Sequence, residues 1–183
     1  MTRLPGLRPE ALDEDQSALY RAIAGGPRAQ GPQHFALTRE DGSLRGPFNA
    51  MLLAPALGAA LQRVGSELRY AGSLTDRERE IAILLVAAHW DSEFERESHE
   101  AVGRSAGLDD AEIAATRALD ADAFAGREAL IASSVIALLG GDLDDGAWSA
   151  AVAELGLEVL FELTTLVGYY ATLALQLRVF RVS

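Results

Sequence analysis

The 183-residue sequence contains no cysteine. That excludes disulfides, zinc–thiolate sites, iron–sulfur clusters and any thiol-based peroxidase or reductase cycle. Lysine is also absent, because all 16 cationic residues are arginine. Without lysine there is no Schiff base and no phosphate-binding loop of the usual kind. Positive charge is scarce: 16 arginines face 27 acidic residues, a net of -11. Such a surface repels phosphate backbones and gives no purchase on anionic lipid, so neither nucleic acid nor a membrane is expected as a partner. Long apolar runs are missing too. The longest stretch without a polar side chain is Ile81–Ala88, whereas a membrane span needs roughly 20 residues. Met1–Gly6 opens no apolar stretch of signal-peptide length, and a cytoplasmic protein is expected. Leu157–Phe180 is strongly apolar but carries Glu158, Glu162, Gln176 and Arg178, so it reads as a buried helix.

What is present is the composition of a globular protein, 49% hydrophobic and 23% charged. The length suits a single domain over residues 1–183, with residues 1–47 as an N-terminal arm and loop and 48–183 as a helical core. Pro9 suits a first helical turn, and Ala11, Leu12, Ala18, Leu19, Ala22 and Ile23 share a face. Gly and Pro then punctuate residues 25–47. Within that stretch His34–Leu37 and Ser43–Arg45 flank Glu40-Asp41-Gly42, which predicts a small β-hairpin, the one sheet expected. From Phe48 onward the apolar spacing is helical, with Pro55 marking a break or a new first turn. Thr75-Asp76-Arg77-Glu78 is a capping box that opens a helix to about His89. A second helix starts at Asp91–Glu95 and stops near Gly107. Further helices start at Asp109-Asp110, at Arg127 and at Asp144-Asp145, and Gly156 breaks the chain before the last one. The fold class expected is all-α.

Imidazole chemistry has three places to reside: His34, His89 and His99. Ser92, Glu95 and His99 share a helical face, since Glu95 and His99 are i and i+4. The short connection His89-Trp90-Asp91 folds the two helices around it into an antiparallel hairpin over about residues 74–107. Glu80 and His99 then lie at similar heights, so one imidazole and two carboxylates converge at a helix seam. A carboxylate-held imidazole is a suitable general acid or base. Plainer readings exist beside this one. Ser92-x-x-Glu95 has the form of a capping box, Glu80 is placed to pair with Arg77 on the surface, and a mid-helix histidine is often only structural.

Three stretches carry a resemblance. Leu74–Leu84 is followed by Phe94-Glu95-x-x-x-His99-x-x-x-Gly103 and then by Ala106-Gly107-Leu108. Together they resemble the carboxymuconolactone decarboxylase family, whose superfamily includes the AhpD-type alkylhydroperoxidases. Gly46–Leu52 and Glu162–Tyr170 extend the likeness. The resemblance implies an AhpD-like helical bundle assembled as a trimer or hexamer. Glu80 and His99 stand at the Glu and His of the AhpD-type proton relay, while Ser92 and Glu95 stand where its two cysteines would be. A peroxiredoxin or alkylhydroperoxidase label therefore lacks its chemistry here.

The decarboxylase branch needs no cysteine pair, cofactor or metal. It implies a lyase of aromatic-compound breakdown acting on a small carboxylated lactone or related organic acid. His99 would shuttle the proton, Glu80 would orient it, and Glu95 would be a secondary acid. Ser92, Phe48, Asn49 and Tyr170 would line the substrate site, with Arg96 or Arg45 meeting a substrate carboxylate. Leu52-Leu53-Ala54-Pro55 departs from the Leu-His-Ser-Pro of many relatives, which leaves the substrate open. The alternative is a non-catalytic ligand-binding or assembly member. The apolar circumference of 81–88 and 157–180 argues independently for a homo-oligomer with its site near a subunit contact.

Overall fold

A computed structural model describes residues 3–26, 30 and 35–182. It is all-α. The α-helices among the described residues are α1 (Glu14–Ala24), α2 (Pro47–Met51), α3 (Pro55–Tyr70), α4 (Asp76–His89), α5 (Glu93–Ser105), α6 (Asp110–Ala118), α7 (Gly126–Leu139) and α8 (Asp145–Phe180). Short 3-10 turns occupy Pro9–Ala11 and Ala121–Ala123. Pro55 does open a new helix, and α8 is kinked at Gly156, whose φ of 82° no helix accommodates. None of the described helices is long and apolar enough to cross a membrane. The expected β-hairpin is a correction. Among the described residues only one antiparallel bridge forms, Thr38 with Leu44, and no strand extends from it. Asp41 and Gly42 do close a turn there, but too few residues on either side pair for a ladder to propagate. His34 lies outside the described residues.

The chain groups into two compact units. One comprises Met1–Glu67 with Leu175–Ser183, the other Leu68–Ala174. In the first, Leu19, Ile23, Leu44, Phe48, Met51 and Leu52 are buried. Leu4 N donates to Phe180 O at 3.1 Å, tying the start of the chain to the end of α8. Gly58 leaves room for a close approach: a Cβ there would sit 2.3 Å from the Met51 carbonyl oxygen.

The second unit is built around α4. The Thr75 capping box forms as the sequence predicts, with Thr75 Oγ1 accepting from Glu78 N and the Glu78 carboxylate accepting from Thr75 N. The helix is nearly inaccessible all round, because Ile81 through Ala87 are at most 2% exposed. It packs against α5, α6 and α7. Burial of so much aliphatic surface, at about 25 cal/mol per Å², is the main force holding this unit together. Charged side chains fix the N-terminal turn of α4 to its neighbours. Arg77 pairs with Glu112 of α6 at 2.6 Å and Glu128 of α7 at 2.8 Å, and also donates to the Gly107 carbonyl. Glu78 accepts from Arg127 at 2.7 Å.

Candidate active site

The hairpin that brings the chemical groups together has a specific local cause. At the end of α4, Ser92 N donates to Ala87 O and Asp91 N to Ala88 O, while Asp91 takes a φ of 48°. This is a left-handed helix stop that reverses the chain in three residues. Aspartate tolerates that conformation better than most residues that have a Cβ. A matching stop closes α5 at Gly107, with Leu108 N donating to Gly103 O. Gly103 also sets how closely α5 approaches α4, since a Cβ there would meet Leu108 at 3.0 Å and Glu80 Cβ at 3.8 Å. One helical turn from that contact lies His99.

His99 Nδ1 is 2.7 Å from Glu80 Oε2, a charge-assisted hydrogen bond between two buried side chains. Glu80 is 0% exposed and His99 5%. The other ring nitrogen, Nε2, lies 3.6 Å from Glu95 Oε2, within ion-pair range but too far for a hydrogen bond. Tyr170 of α8 meets the imidazole edge-to-face, with ring centroids 5.2 Å apart, and Tyr169 packs in the same way against Tyr170. Glu80, Glu95 and His99 therefore lie together at the helix seam, as the antiparallel register predicts, and Tyr170 joins them from α8. A carboxylate at Nδ1 holds that nitrogen as the donor and leaves Nε2 as the one able to exchange a proton.

Two of the plainer readings, a surface pair of Glu80 with Arg77 and a Ser92 cap, do not describe the structure. Arg77 spends its guanidinium on Glu112, Glu128 and Gly107, so it does not pair with Glu80. Ser92 makes no capping bond, and its Oγ is buried without a hydrogen-bond partner. Glu80 Oε1 likewise accepts none. Buried polar atoms left without hydrogen bonds are uncommon and costly, and one of these belongs to the carboxylate that holds the His99 ring.

The remaining predicted residues divide. Arg96 lines an open recess of about 430 Å³ together with Ala88, Asp91, Glu97, Glu100 and Arg117. Its ion-pair partner Asp91 is 3.7 Å away, whereas Arg117 grips Glu100 through two bonds of 2.7 Å. Phe48, Asn49 and Arg45 belong to the other unit. Asn49 is engaged in tethering the N-terminal segment: Oδ1 accepts from Leu7 N at 2.9 Å and Nδ2 donates to Pro5 O at 3.1 Å. Sequence reasoning missed Arg79. The residue is 8% exposed and its Nε lies 3.7 Å from Glu80 Oε1. The run Asp76-Arg77-Glu78-Arg79-Glu80 looks like a solvated first turn. The only available hint was the fully apolar stretch that follows, which requires burial on every side. Among the described residues no group of three or more His, Asp and Glu is arranged to hold a metal ion.

No curated protein matches the chain. The model of the Carboxymuconolactone decarboxylase family matches residues 55–138, a span that contains Glu80, Ser92, Glu95, Arg96 and His99 and excludes Phe48, Asn49 and Tyr170.

Proposed function

We propose that this protein, which belongs through residues 55–138 to the carboxymuconolactone decarboxylase family, is an acid–base enzyme of the decarboxylase kind. Its substrate is a small carboxylated lactone or a related organic acid. The observation that carries this reading is the 2.7 Å bond between His99 Nδ1 and the fully buried Glu80. In the reaction the bond from the substrate carbon to its carboxylate breaks, carbon dioxide leaves, and the electron pair remains on carbon as a delocalised anion. His99 delivers a proton from Nε2 to that anion, and solvent later restores it. Glu80 holds the ring in orientation and stabilises its charged form, and Glu95, beside Nε2, acts as a secondary acid. Ser92 supplies a hydroxyl and Tyr170 a wall. Arg96 meets a substrate carboxylate, since its ion-pair partner among the described residues, Asp91, is 3.7 Å away and exposed.

The same reading makes the protein a homo-oligomer, with a trimer or hexamer as the expected form. Leu157, Phe161, Thr164 and Gly168 lie along one exposed face of α8, and Phe161 is 74% exposed. A face of that kind is unusual on a monomer. By contrast, the apolar circumference of α4 is covered within the chain and needs no partner.

A second reading has its own observation. His99 and Glu80 are so enclosed that they also suit a purely structural ion pair in a non-catalytic, ligand-binding member. A spectrophotometric assay on carboxylated lactones separates the two. His99→Ala and Glu80→Gln are expected to lose about 10²–10⁴-fold in turnover with helical circular dichroism intact. Retained turnover in both variants would remove these residues from the mechanism.

A further inference from the structure

We infer that α8 pairs with α8 of a second copy of the chain, antiparallel and two-fold about Gly168, an inference that rests on the homo-oligomer reading and narrows it. The helix is unbroken from Leu157 to Phe180. Leu157, Phe161 and Thr164 precede Gly168 at steps of four and three residues, and Thr172, Leu175 and Val179 follow it in the same way, so the seven form one stripe along the helix. All are exposed, and the four large apolar ones are 45–74% accessible. No side chain of the stripe is charged, on a chain whose net charge is -11. Two such chains repel, and a charge-free face is where they can approach. The hydroxyls of Thr164 and Thr172 donate to Phe161 O and Gly168 O of their own helix, at 2.8 and 2.9 Å, so burying them leaves no donor unpaired.

The order of residues along the stripe selects the partner. Leu157 and Val179 stand equally far from Gly168 along the chain, as do Phe161 and Leu175, and Thr164 and Thr172. In a two-fold contact, position i meets position j and j meets i. An antiparallel pair centred on Gly168 therefore sets Leu157 against Val179 of the partner subunit, Phe161 against the partner subunit's Leu175, and Thr164 against the partner subunit's Thr172. Helices that cross diverge from the crossing point, so small residues suit the centre and large ones the ends, which is the order found here. Gly168 points the same way. Glycine weakens a helix interior relative to alanine. Nothing within the chain calls for it, since a Cβ there would meet no atom within 4 Å. A second backbone arriving at the crossing point does call for it. The stripe is roughly 33 Å long and buries on the order of 1,000 Å² in a pair, near the lower bound for a specific contact. Association through it alone is therefore concentration-dependent. Being two-fold, it fits a dimer or a hexamer of three such pairs, and not a trimer alone.

The full chain has no cysteine, so introduced cysteines report the register without background. Thr164→Cys and Thr172→Cys are made separately and oxidised mildly, each alone and then mixed. The mixture should give a disulfide-linked dimer. Neither variant alone should, because like positions lie about 12 Å or more apart in the antiparallel pair, beyond the reach of a disulfide. Leu157→Cys, farther from the centre, should not link to itself either. Gly168→Leu, which fills the crossing point, should weaken association about tenfold or more by light scattering, with helical circular dichroism unchanged. Self-linkage of Leu157→Cys with none in the mixture would mean a parallel alignment and overturn the inference. So would a folded Gly168→Leu chain that associates like wild type. Should that variant not fold, the cysteine pair at exposed positions decides alone. A wild-type oligomer without mixed linkage would overturn this pairing and leave the homo-oligomer reading standing, whereas a wild type that stays monomeric would end both.

Discussion

Replacing Arg77 with Met removes the guanidinium that joins α4 to α6 and α7. Four side-chain contacts of 2.6–3.3 Å connect it to Glu112 and Glu128. A shielded hydrogen bond to a charged partner contributes about 1.5–3 kcal/mol, whereas an exposed ion pair contributes about 0.2–1. These side chains are 22–29% exposed, between the two cases. The loss should therefore be about 2–3 kcal/mol in all, which for a chain of this size lowers Tm by roughly 5–10 °C. The pH dependence is specific. The hydrogen bond from Arg77 holds the Glu112 carboxyl below its ordinary value, against an opposing effect of burial. A carboxylate depressed in the folded state stabilises fully above its unfolded pKa, near about 4.3. That contribution is lost as pH falls through the lower folded value. Arg77 itself is pushed upward by the same bonds and stays charged throughout. Thermal melts followed by circular dichroism should therefore show the widest gap between wild type and variant near neutral pH, closing below about pH 4. Arg77→Lys, a charge without the planar fork, should recover only part of the gap. A neutral-pH gap under about 1 °C, or one undiminished at about pH 3, would refute this account of how α4 is anchored.

Two further outcomes follow from the site and the surface. Ser92→Ala should leave Tm within about 1 °C, because the hydroxyl does not cap α5, whereas a working cap costs about 1 kcal/mol when removed. The same variant should slow lactone turnover, and a large stability loss with unchanged turnover would reassign Ser92 to the helix. Size-exclusion chromatography with light scattering should show an oligomer for wild type and smaller species for Phe161→Glu. A wild-type monomer at micromolar concentration would end the oligomer reading.

Helix positions were legible because their signals are local. Thr75 with Glu78, Gly107 and Pro55 act within a turn of themselves, and each does what its residue type dictates. The meeting of Glu80 with His99 was legible for a related reason: a three-residue reversal fixes the register of two adjacent helices. The identity of the groups behind that pair was not. Arg77 and Arg79 have nearly the same sequence surroundings, yet one reaches outward to α6 and α7 while the other lies buried beside Glu80. Tertiary packing decides which way each arginine turns. Ser92 shows the same limit, since a capping-box pattern gives no sign that the hydroxyl will stand unused. The hairpin at 35–45 failed because turn residues can close a loop without enough neighbours to extend a ladder. Asn49, expected at a substrate, tethers Pro5 and Leu7 through its side chain, and nothing in its local pattern signals that use.

The account depends on Glu80 gripping one particular nitrogen of His99. Long-range nitrogen–proton NMR of the histidine rings reads which ring nitrogen carries the proton. The account predicts that His99 keeps its proton on Nδ1 at every pH where the ring is neutral, opposite to the preference of a free imidazole side chain. A neutral His99 protonated at Nε2, with Nδ1 bare beside Glu80, would contradict it.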